Sequence, residues 1–266
     1  MFDWDALPSL QKQVEAIAER AGQAILNVYH GDYEVEQKAD KTPVTEADWA
    51  ANDVIEQGLR QLEPQWPILS EEGEAAAFEQ RQQWQTYWLV DPLDGTKEFI
   101  KGNGEFSVNI ALIHYHQPVL GVVHAPVLGA TYSASKDNGA EKITQSGRAP
   151  ISTAAVGGAA RIAASRSHRS DRLLSYLNRL GEHSMVHMGS SLKSCLVAEG
   201  KADLYPRLGK TSEWDTGACQ CVVEEAGGFF VTSEGERMTY NRKSSLLNPE
   251  FFVFGDDSRD WLAYLD

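Results

Sequence analysis

Hydrophobic side chains recur at three-to-four-residue spacing near the start of the chain and predict an amphipathic helix over residues 8–30. A second helix is predicted from Thr45 to about Leu62, because Thr45 can cap its first turn and the acidic residues Glu46 and Asp48 follow. The polar segment between the two helices predicts an exposed turn or hairpin. The chain is therefore expected to start with two helices.

Short apolar runs bounded by turn residues come next. The runs WPILS (residues 66–70) and YWLVD (residues 87–91) predict buried strands, and acidic residues stand at the end of both. Between residues 107 and 135, apolar and β-branched stretches are interrupted at Gln-Pro and Leu-Gly, which predicts three antiparallel strands. The first part of the chain thus combines helices with an antiparallel sheet.

Strand and helix patterns alternate in the second part of the chain. Residues 145–160 are rich in Ser, Gly, Ala and Pro and are the candidate boundary between two domains, 1–150 and 151–266. The alternation predicts an α/β half after this boundary, whereas the half before it is α+β. The predicted elements of the second half are strand 161–165, helix 170–180, strand 184–188, helix 190–199, strand 202–207, helix 215–226 and strands 227–232 and 251–255.

The charge of the chain limits the kinds of partner it can bind. It has 24 basic and 38 acidic residues, and its formal net charge is −14. Nucleic acid backbones are bound through basic stripes, so this charge argues against a nucleic acid polymer as partner. A small phosphate ester is not excluded, because carboxylates that first bind divalent cations reverse the local sign of the field.

Three features of the sequence bear on the cellular compartment. No apolar run approaches the roughly 18 residues of a membrane-spanning helix. The N-terminus MFDWDALPSLQKQVEAIAER lacks the basic start, apolar middle and small-residue cleavage site of an export signal, which predicts a cytoplasmic protein. Cys195, Cys219 and Cys221 are expected to be buried reduced thiols, since their spacing gives little support for zinc.

The segment DPLDGT, which begins at Asp91, follows the second predicted strand. Pro92 has a restricted φ and disfavours helical backbone at Asp91, so the strand is expected to stay extended to its end. Asp94 and Gly95 then complete a turn, which lets both carboxylates converge at the C-terminal edge of the strand. The amides of Gly95 and Thr96 are expected to open toward the helix-like TKEF and to form a seat for an anion.

Three further acidic segments stand at the mouth of a predicted strand or at the start of a predicted helix. Taken singly, each kind of segment has an ordinary explanation, since Asp-Pro and Asp-Gly are common in turns and acidic first turns are routine partners of the helix dipole. Their joint occurrence is much more specific than any one of them. The segments are VTEAD (44–48), SEE (70–72) and WDTGA (214–218).

The segments SEE, DPLDGT and WDTGA, in this order, resemble the metal-binding signature of the inositol monophosphatase superfamily of magnesium-dependent, lithium-sensitive phosphatases. The resemblance spans residues 44 to about 230. The stretch DPLDGTKEFIKGNGEFSVNIALI is similar to the CysQ-type branch, the 3′(2′),5′-bisphosphate nucleotidases, whereas inositol phosphatases more often have Asn-Phe where this chain has Lys97 and Glu98. The resemblance implies a layered αβαβα sandwich with the active site between its two halves.

The resemblance also implies a Mg²⁺ site. It assigns the side chains of Glu71, Asp91, Asp94 and Asp215 and the carbonyl of Leu93 to the metal. Oxygen ligands of this kind suit Mg²⁺, which keeps waters that substrate can displace. Two or three ions are implied, with Glu71 and Asp91 bridging two of them.

A catalytic set is implied by the same resemblance. Asp48 and Thr96 would orient the attacking water and help to deprotonate it, and Glu71 would act beside them. Metal coordination lowers the pKa of bound water, and two ions about 4 Å apart stabilise both the attacking and the leaving oxygen. In-line hydrolysis of a phosphate ester is the chemistry expected.

Substrate contacts are expected from both halves of the chain. Around the reacting phosphate, the resemblance implies Asp94, Gly95, Thr96 and Asp215, and the second phosphate of a nucleotide needs basic partners elsewhere. The segments SRSH and SSLKSC are similar to stretches that contact the nucleotide in the nucleotidase branch. Ser190 and Lys193 are three apart at a predicted helix start and can face one ligand. The residues put forward for these contacts are His168, Ser190, Lys193 and Arg207.

The implied activity is removal of the 3′-phosphate from adenosine 3′,5′-bisphosphate (PAP), which gives AMP. The sulfated analogue 3′-phosphoadenylyl sulfate is a further implied substrate and would connect the protein to sulfate assimilation. Two alternatives remain open: an inositol or fructose bisphosphate phosphatase with the same metals, and a noncatalytic metal or nucleotide sensor. The resemblance also allows peripheral association with the cytoplasmic face of the inner membrane, although no basic amphipathic anchor is present. The oligomeric state is not indicated.

Overall fold

The first two helices pack against each other and against one face of a large sheet. In the computed structural model, which describes residues 2–31, 35–37, 43–74, 76–166 and 170–265, helix α1 is Leu7–Tyr29 and helix α2 is Glu46–Arg60. Both predicted helices are therefore confirmed. They approach so closely that a Cβ added at Gly58 would lie 2.8 Å from the side chain of Ile17, so glycine is required at this crossing.

A short hairpin connects these helices. Strands β1 (Val35–Gln37) and β2 (Pro43–Thr45) pair antiparallel, with Val35 opposite Thr45. The predicted hairpin is confirmed for these strands, and its remaining residues, 32–34 and 38–42, lie outside the described part of the chain.

A seven-stranded sheet with the order β3-β4-β5-β6-β7-β8-β9 forms the centre of the first half. Strands β3 and β4 are parallel, and all later neighbours are antiparallel. Helices α3 (Phe78–Arg81) and α4 (Thr96–Ile100) flank β4 in sequence. The strands are β3 (Ile68–Ser70), β4 (Thr86–Asp94), β5 (Ser107–His114), β6 (Gln117–Ala125), β7 (Ala130–Ser135), β8 (Ala140–Thr144) and β9 (Gly147–Ile151).

The predicted strands of this half are present, but the sheet extends further than the sequence suggested. Strand β9 occupies residues 147–151, which were expected to belong to a domain boundary. It is an exposed edge strand, and an edge position tolerates Pro150 and Gly147 because a proline there need not donate to a neighbour. The division into domains 1–150 and 151–266 stays a prediction.

A five-stranded sheet with the order β11-β10-β12-β14-β13 forms the second half. Its strands are β10 (Ala160–Ala164), β11 (His183–His187), β12 (Leu204–Arg207), β13 (Phe229–Thr232) and β14 (Phe251–Phe254). Its helices are α5 (Asp171–Leu180), α6 (Leu192–Ala198) and α7 (Gly217–Glu225). The predicted alternation of strands and helices is confirmed, although α6 and α7 each begin two residues later than expected.

Three hydrophobic clusters show how these elements are layered. The first joins α1 and α2 to one face of the seven-stranded sheet, and the second fills the space between the two sheets with side chains of α6 and α7. The third packs α5 on the far face of the five-stranded sheet. The order helix, sheet, helix, sheet, helix confirms the predicted αβαβα sandwich. The fit between α7 and the large sheet is tight, because a Cβ at Gly121 would lie 2.2 Å from the carbonyl oxygen of Ala218.

The cysteines and two of the tryptophans differ in how deeply they are buried. Cys195, Cys219 and Cys221 are buried free thiols, as predicted. Trp88 is buried in the core, whereas Trp49 is 41% exposed. Trp88 belongs to the interior strand β4, whereas Trp49 lies on the outer face of α2.

Among the residues that the structure describes, no helix is long and apolar enough to cross a membrane. The expected cytoplasmic location and the peripheral membrane association stay predictions.

Candidate active site

The end of β4 places two carboxylates at one edge of the large sheet. Asp91 lies opposite Asn109 of β5 and Asp94 lies opposite Ser107, so β4 holds one extra residue between them. Pro92, which cannot donate a ladder hydrogen bond, falls within this bulge. Gly95 then turns the chain with a left-handed φ of 100°, which a residue with a side chain rarely adopts.

Two further carboxylates reach the same place from different segments. Glu71 directly follows β3, and its amide donates to the Val90 carbonyl at 3.1 Å, so it lies next to the end of β4. Asp215 ends a 3₁₀ helix (Glu213–Asp215), where its Oδ2 accepts from the Ser212 amide at 2.9 Å. Carboxylate oxygens of Glu71, Asp91 and Asp215 all lie within 4.8 Å of one another. We call these three residues the carboxylate cluster.

Asp94 stands beside the cluster and is held by neighbours that the sequence did not single out. Its Oδ2 accepts from the Ser191 amide at 2.6 Å, from the Ser191 hydroxyl, and from Asn109 Nδ2 at 3.3 Å. Asn109 could have been found, because it is a polar residue within the first of the three predicted antiparallel strands; in the structure it lies opposite Asp91. Ser191 gave no comparable signal, since its contact depends on how the two sheets pack.

The electrostatics of the cluster are strongly unfavourable without a cation. Burial raises the pKa of Asp91 well above its usual range, and the nearby charges of Glu71 and Asp94 raise it further. Burial also raises the pKa of Asp215 to about 7, with Asp94 as the next cause. Like-charged carboxylates are stable at close range only when they are protonated or bind a cation. The hard oxygen donors of this set fit Mg²⁺.

A second pair of residues, Asp48 and Thr96, lies next to the end of β4. The Thr96 hydroxyl is 3.3 Å from Asp48 Oδ1 and 3.5 Å from the Leu93 carbonyl oxygen. Asp48 Oδ2 accepts from the amide of Thr45 at 2.7 Å and from its hydroxyl at 2.8 Å, which forms the predicted helix cap. Asp48 therefore combines its ordinary role at the start of α2 with a contact to Thr96.

A cavity next to the cluster brings together most of the residues predicted for substrate. Asp94, Gly95, Ser190, Lys193, Arg207 and Asp215 all line it. The lining residues that sequence reasoning missed come from α4, α6, α7, β12, β14 and loops between elements, and tertiary packing alone assembles them. They are Glu98, Ser165, Ser191, Ser194, Tyr205, Thr211, Thr216, Cys219 and Phe251.

Two basic side chains meet at this cavity. Lys193 is 5% exposed, and its Nζ donates to the Ser190 carbonyl at 2.6 Å and lies 5.2 Å from the centre of the Tyr205 ring. Arg207 donates from Nη2 to the Lys210 carbonyl at 2.8 Å, while its buried Nε has no hydrogen-bond partner among the described residues. Burial lowers the pKa of Lys193 to about 8.

The expected geometry of Ser190 and Lys193 was wrong in one respect. Helix α6 begins at Leu192, and Ser190 precedes it with a left-handed φ of 46°. The two side chains therefore do not share a helix face, and Ser190 contacts Lys193 through its carbonyl oxygen. His168 lies outside the described residues, so its predicted role stays a prediction.

Comparisons with known proteins agree on one family. The sequence model of the inositol monophosphatase family matches residues 7–254. The chain is 50% identical over 252 residues to the 3′(2′),5′-bisphosphate nucleotidase CysQ of Salmonella typhimurium, covering 91% of this chain and 98% of that protein. CysQ of Escherichia coli K12 is 49% identical over 251 residues, with the same coverage.

A solved structure gives the same result. The crystal structure of CysQ from Bacteroides thetaiotaomicron, a bacterial member of the inositol monophosphatase family, is 37% identical and superposes with a TM-score of 0.84. The match covers 95% of this chain and 98% of that one. This chain therefore belongs to the inositol monophosphatase family.

Proposed function

We propose that this protein is a Mg²⁺-dependent 3′(2′),5′-bisphosphate nucleotidase that hydrolyses the 3′-phosphate of PAP to AMP and phosphate. The observation that carries the proposal is identity of about half the residues with CysQ nucleotidases along nearly the whole chain, combined with a carboxylate cluster beside a cavity that Lys193 and Arg207 line. Hydrolysis of 3′-phosphoadenylyl sulfate and a role in sulfur assimilation belong to the same proposal. No observation favours inositol or fructose phosphates as substrates, or a noncatalytic sensor.

Members of this family generally depend on Mg²⁺. In this chain, Glu71, Asp91 and Asp215 would hold the metal, with Asp94 and the Leu93 carbonyl beside them, and the proposal includes two or three ions. When bound, Mg²⁺ supplies charge stabilisation of the phosphoryl group and lowers the pKa of water.

The residues of the chain itself have separate tasks in this proposal. Thr96 donates its hydroxyl hydrogen to Asp48 Oδ1, which leaves an oxygen lone pair to accept a hydrogen bond from the attacking water. Asp48 is held by the Thr45 cap and takes up the proton through Thr96. The turn at Gly95 brings backbone amides close to the phosphate that is cleaved.

Lys193 and Arg207 are suited to the second phosphate of the substrate. Both line the cavity next to the carboxylate cluster, and the buried Nε of Arg207 lacks a protein acceptor among the described residues. An arginine with a free N–H and a lysine can together bind a phosphate through charge-assisted hydrogen bonds. A substrate with a single phosphate would leave these cations without an anionic partner, which favours a bisphosphate.

Initial rates with PAP and with inositol 1-phosphate, measured side by side with Mg²⁺, test the proposed function. We expect kcat/KM for PAP to exceed that for the inositol ester at least about 100-fold, because only PAP places a second phosphate against Lys193 and Arg207. Omission of Mg²⁺ should remove the activity. A preference for inositol 1-phosphate, or tight PAP binding without turnover, would contradict the proposal.

The pH dependence of substrate binding is expected to follow Lys193. Its pKa is lowered from 10.5 to about 8, first by burial, so the side chain is charged below pH 8 and neutral above it. The kcat/KM of the wild type for PAP should therefore fall as the pH rises through 8. The variant Lys193→Met should have a KM raised by about tenfold at pH 7 and no such fall between pH 7 and 9.

The KM and kcat of Lys193→Met provide the control. A lysine that holds a remote phosphate changes KM more than kcat. A drop in kcat at unchanged KM would instead place Lys193 close to the reacting phosphate.

A further inference from the structure

Arg81 is a buried arginine at the end of α3, and it is only 2% exposed. Its Nη1 donates to Asn241 Oδ1 at 2.5 Å, and its Nη2 donates to the Lys243 carbonyl at 3.0 Å and to the Ser244 carbonyl. Asn241 Nδ2 donates in return to the Arg81 carbonyl at 2.6 Å. These bonds join α3 to residues 241–244, which we call the anchoring turn.

The anchoring turn holds the 3₁₀ helix that carries Asp215. The amide of Asn241 donates to Glu213 Oε2 at 2.8 Å, and Glu213 is itself only 2% exposed. The Glu213 amide donates to the Leu246 carbonyl at 2.8 Å, just beyond the turn. Asn248 Nδ2 donates to the Ser212 carbonyl at 2.6 Å, just before the 3₁₀ helix, and lies 3.0 Å from Thr216 Oγ1, just after it. Asp215 therefore sits on a short segment held at both ends.

Arg81 also lies close to the strand that carries Asp91. Tyr87 of β4, four positions before Asp91, is fully buried. Burial raises the pKa of Tyr87, the charge of Glu213 raises it further, and the charge of Arg81 lowers it. Tyr87, Glu213 and Arg81 are therefore near neighbours. Arg81 itself ends the segment that starts at Glu71. The Arg81 guanidinium thus lies near β4 and is connected through Asn241 to the 3₁₀ helix that carries Asp215.

We propose that Arg81 is a positioning residue for the metal centre: acting through Asn241, it sets the place of Asp215 relative to Glu71 and Asp91 and thereby the affinity for Mg²⁺. The inference rests on the metal site of the proposed function. Mutual repulsion drives the three carboxylates apart before a cation arrives, and the rigid, planar fork of an arginine opposes that movement. Mg²⁺ requires nearly ideal octahedral geometry, so small displacements of Asp215 weaken binding.

Two variants separate positioning from general stability. Arg81→Lys keeps the charge but cannot form the three-way fork, because an ammonium is a point charge on a flexible stem. Asn241→Gly keeps the left-handed backbone of the turn, where φ is 56°, and removes both side-chain links to Arg81. Arg148→Lys is the matched control, since Arg148 also binds a buried carboxylate, Glu15, but joins β9 to α1.

Calorimetric titration of Mg²⁺ into each folded protein, without substrate and well below its unfolding temperature, tests the inference. We expect Arg81→Lys and Asn241→Gly to bind Mg²⁺ about tenfold more weakly than the wild type, because misplacement of outer partners of a metal site typically costs 10–100-fold. Arg148→Lys should bind Mg²⁺ within twofold of the wild type. With Mg²⁺ saturating, the KM for PAP should be unchanged in all three.

Equal Mg²⁺ affinity in the wild type, Arg81→Lys and Asn241→Gly would overturn the inference and leave Arg81 a purely structural residue. If Arg81→Lys does not fold, Asn241→Gly decides the question alone. A wild type that binds Mg²⁺ but does not hydrolyse PAP contradicts the proposed function and leaves this titration decisive. A wild type that binds no Mg²⁺ contradicts both.

Discussion

The variant Asp91→Asn is expected to lose more than about 100-fold in kcat/KM, since even outer partners of a metal site are typically worth 10–100-fold. Asp91 is 1% exposed, and its carboxylate lies in the cluster with Glu71 and Asp215. The amide has the same shape but is neutral and a weaker ligand for Mg²⁺. The rise in Tm that Mg²⁺ gives the wild type should disappear in this variant.

The same variant should be more stable than the wild type when metal is absent. The pKa of Asp91 and that of Asp215 are raised in the folded protein, the latter from 3.8 to about 7. Carboxyls with raised pKa values bind more protons when folded, so metal-free stability should fall as pH rises from about 4 to 7. At pH 8 the asparagine removes one of these mutually repelling negative charges, and the metal-free Tm should increase.

Thermal unfolding with and without Mg²⁺ at pH 8, together with the phosphatase assay, measures both effects. Asp203→Asn is the matched control, because Asp203 is also 1% exposed but is not part of the carboxylate cluster. Its carboxylate instead forms an ion pair with Arg161 at 2.5 Å. It should lower Tm and keep the response to Mg²⁺. A normal Mg²⁺ response in Asp91→Asn would remove Asp91 from the metal site.

Thr96→Val is expected to lower kcat about 100-fold, the usual size of a general acid–base contribution. Valine keeps the shape of threonine but removes the hydroxyl that contacts Asp48 Oδ1 and the Leu93 carbonyl. Binding of Mg²⁺ should change little, because Thr96 is not part of the carboxylate cluster. Single-turnover rates and Mg²⁺ titrations separate the two quantities.

Thr96→Ser supplies the control for this prediction, since it keeps the hydroxyl and removes only a methyl group. Its kcat should stay within a few-fold of the wild type. If Thr96→Val and Thr96→Ser were equally active, the proton would have to leave the attacking water by a route that does not include the Asp48 and Thr96 pair.

Local chemistry predicted much of the fold and the approximate place of the site. Pro92 restricts the backbone and Gly95 permits a left-handed φ, so the extended strand and the turn after it follow from the sequence. The family resemblance placed Glu71 beside Asp91, and the short apolar runs that precede both residues agree with this placement. The structure shows why this works: β3 and β4 are parallel neighbours, so residues at their C-terminal ends meet at one edge.

What the sequence could not supply depends on packing between distant segments. Ser191 reaches Asp94 only because α6 lies between the two sheets, and nothing in the SSLK segment indicates which serine makes that contact. The start of α6 was placed two residues too early because Ser190 has a left-handed backbone that composition does not reveal. Nothing in the sequence singles out Arg81, and only its burial against the anchoring turn distinguishes it.

A crystal structure of the protein soaked with Mn²⁺ and inorganic phosphate tests the central claim most directly, because Mn²⁺ replaces Mg²⁺ on oxygen ligands and gives an anomalous signal. The account predicts anomalous peaks in contact with carboxylate oxygens of Glu71, Asp91 and Asp215, and a phosphate next to Gly95 and Thr96. Empty carboxylates at saturating Mn²⁺, or ions bound only elsewhere on the surface, would contradict it.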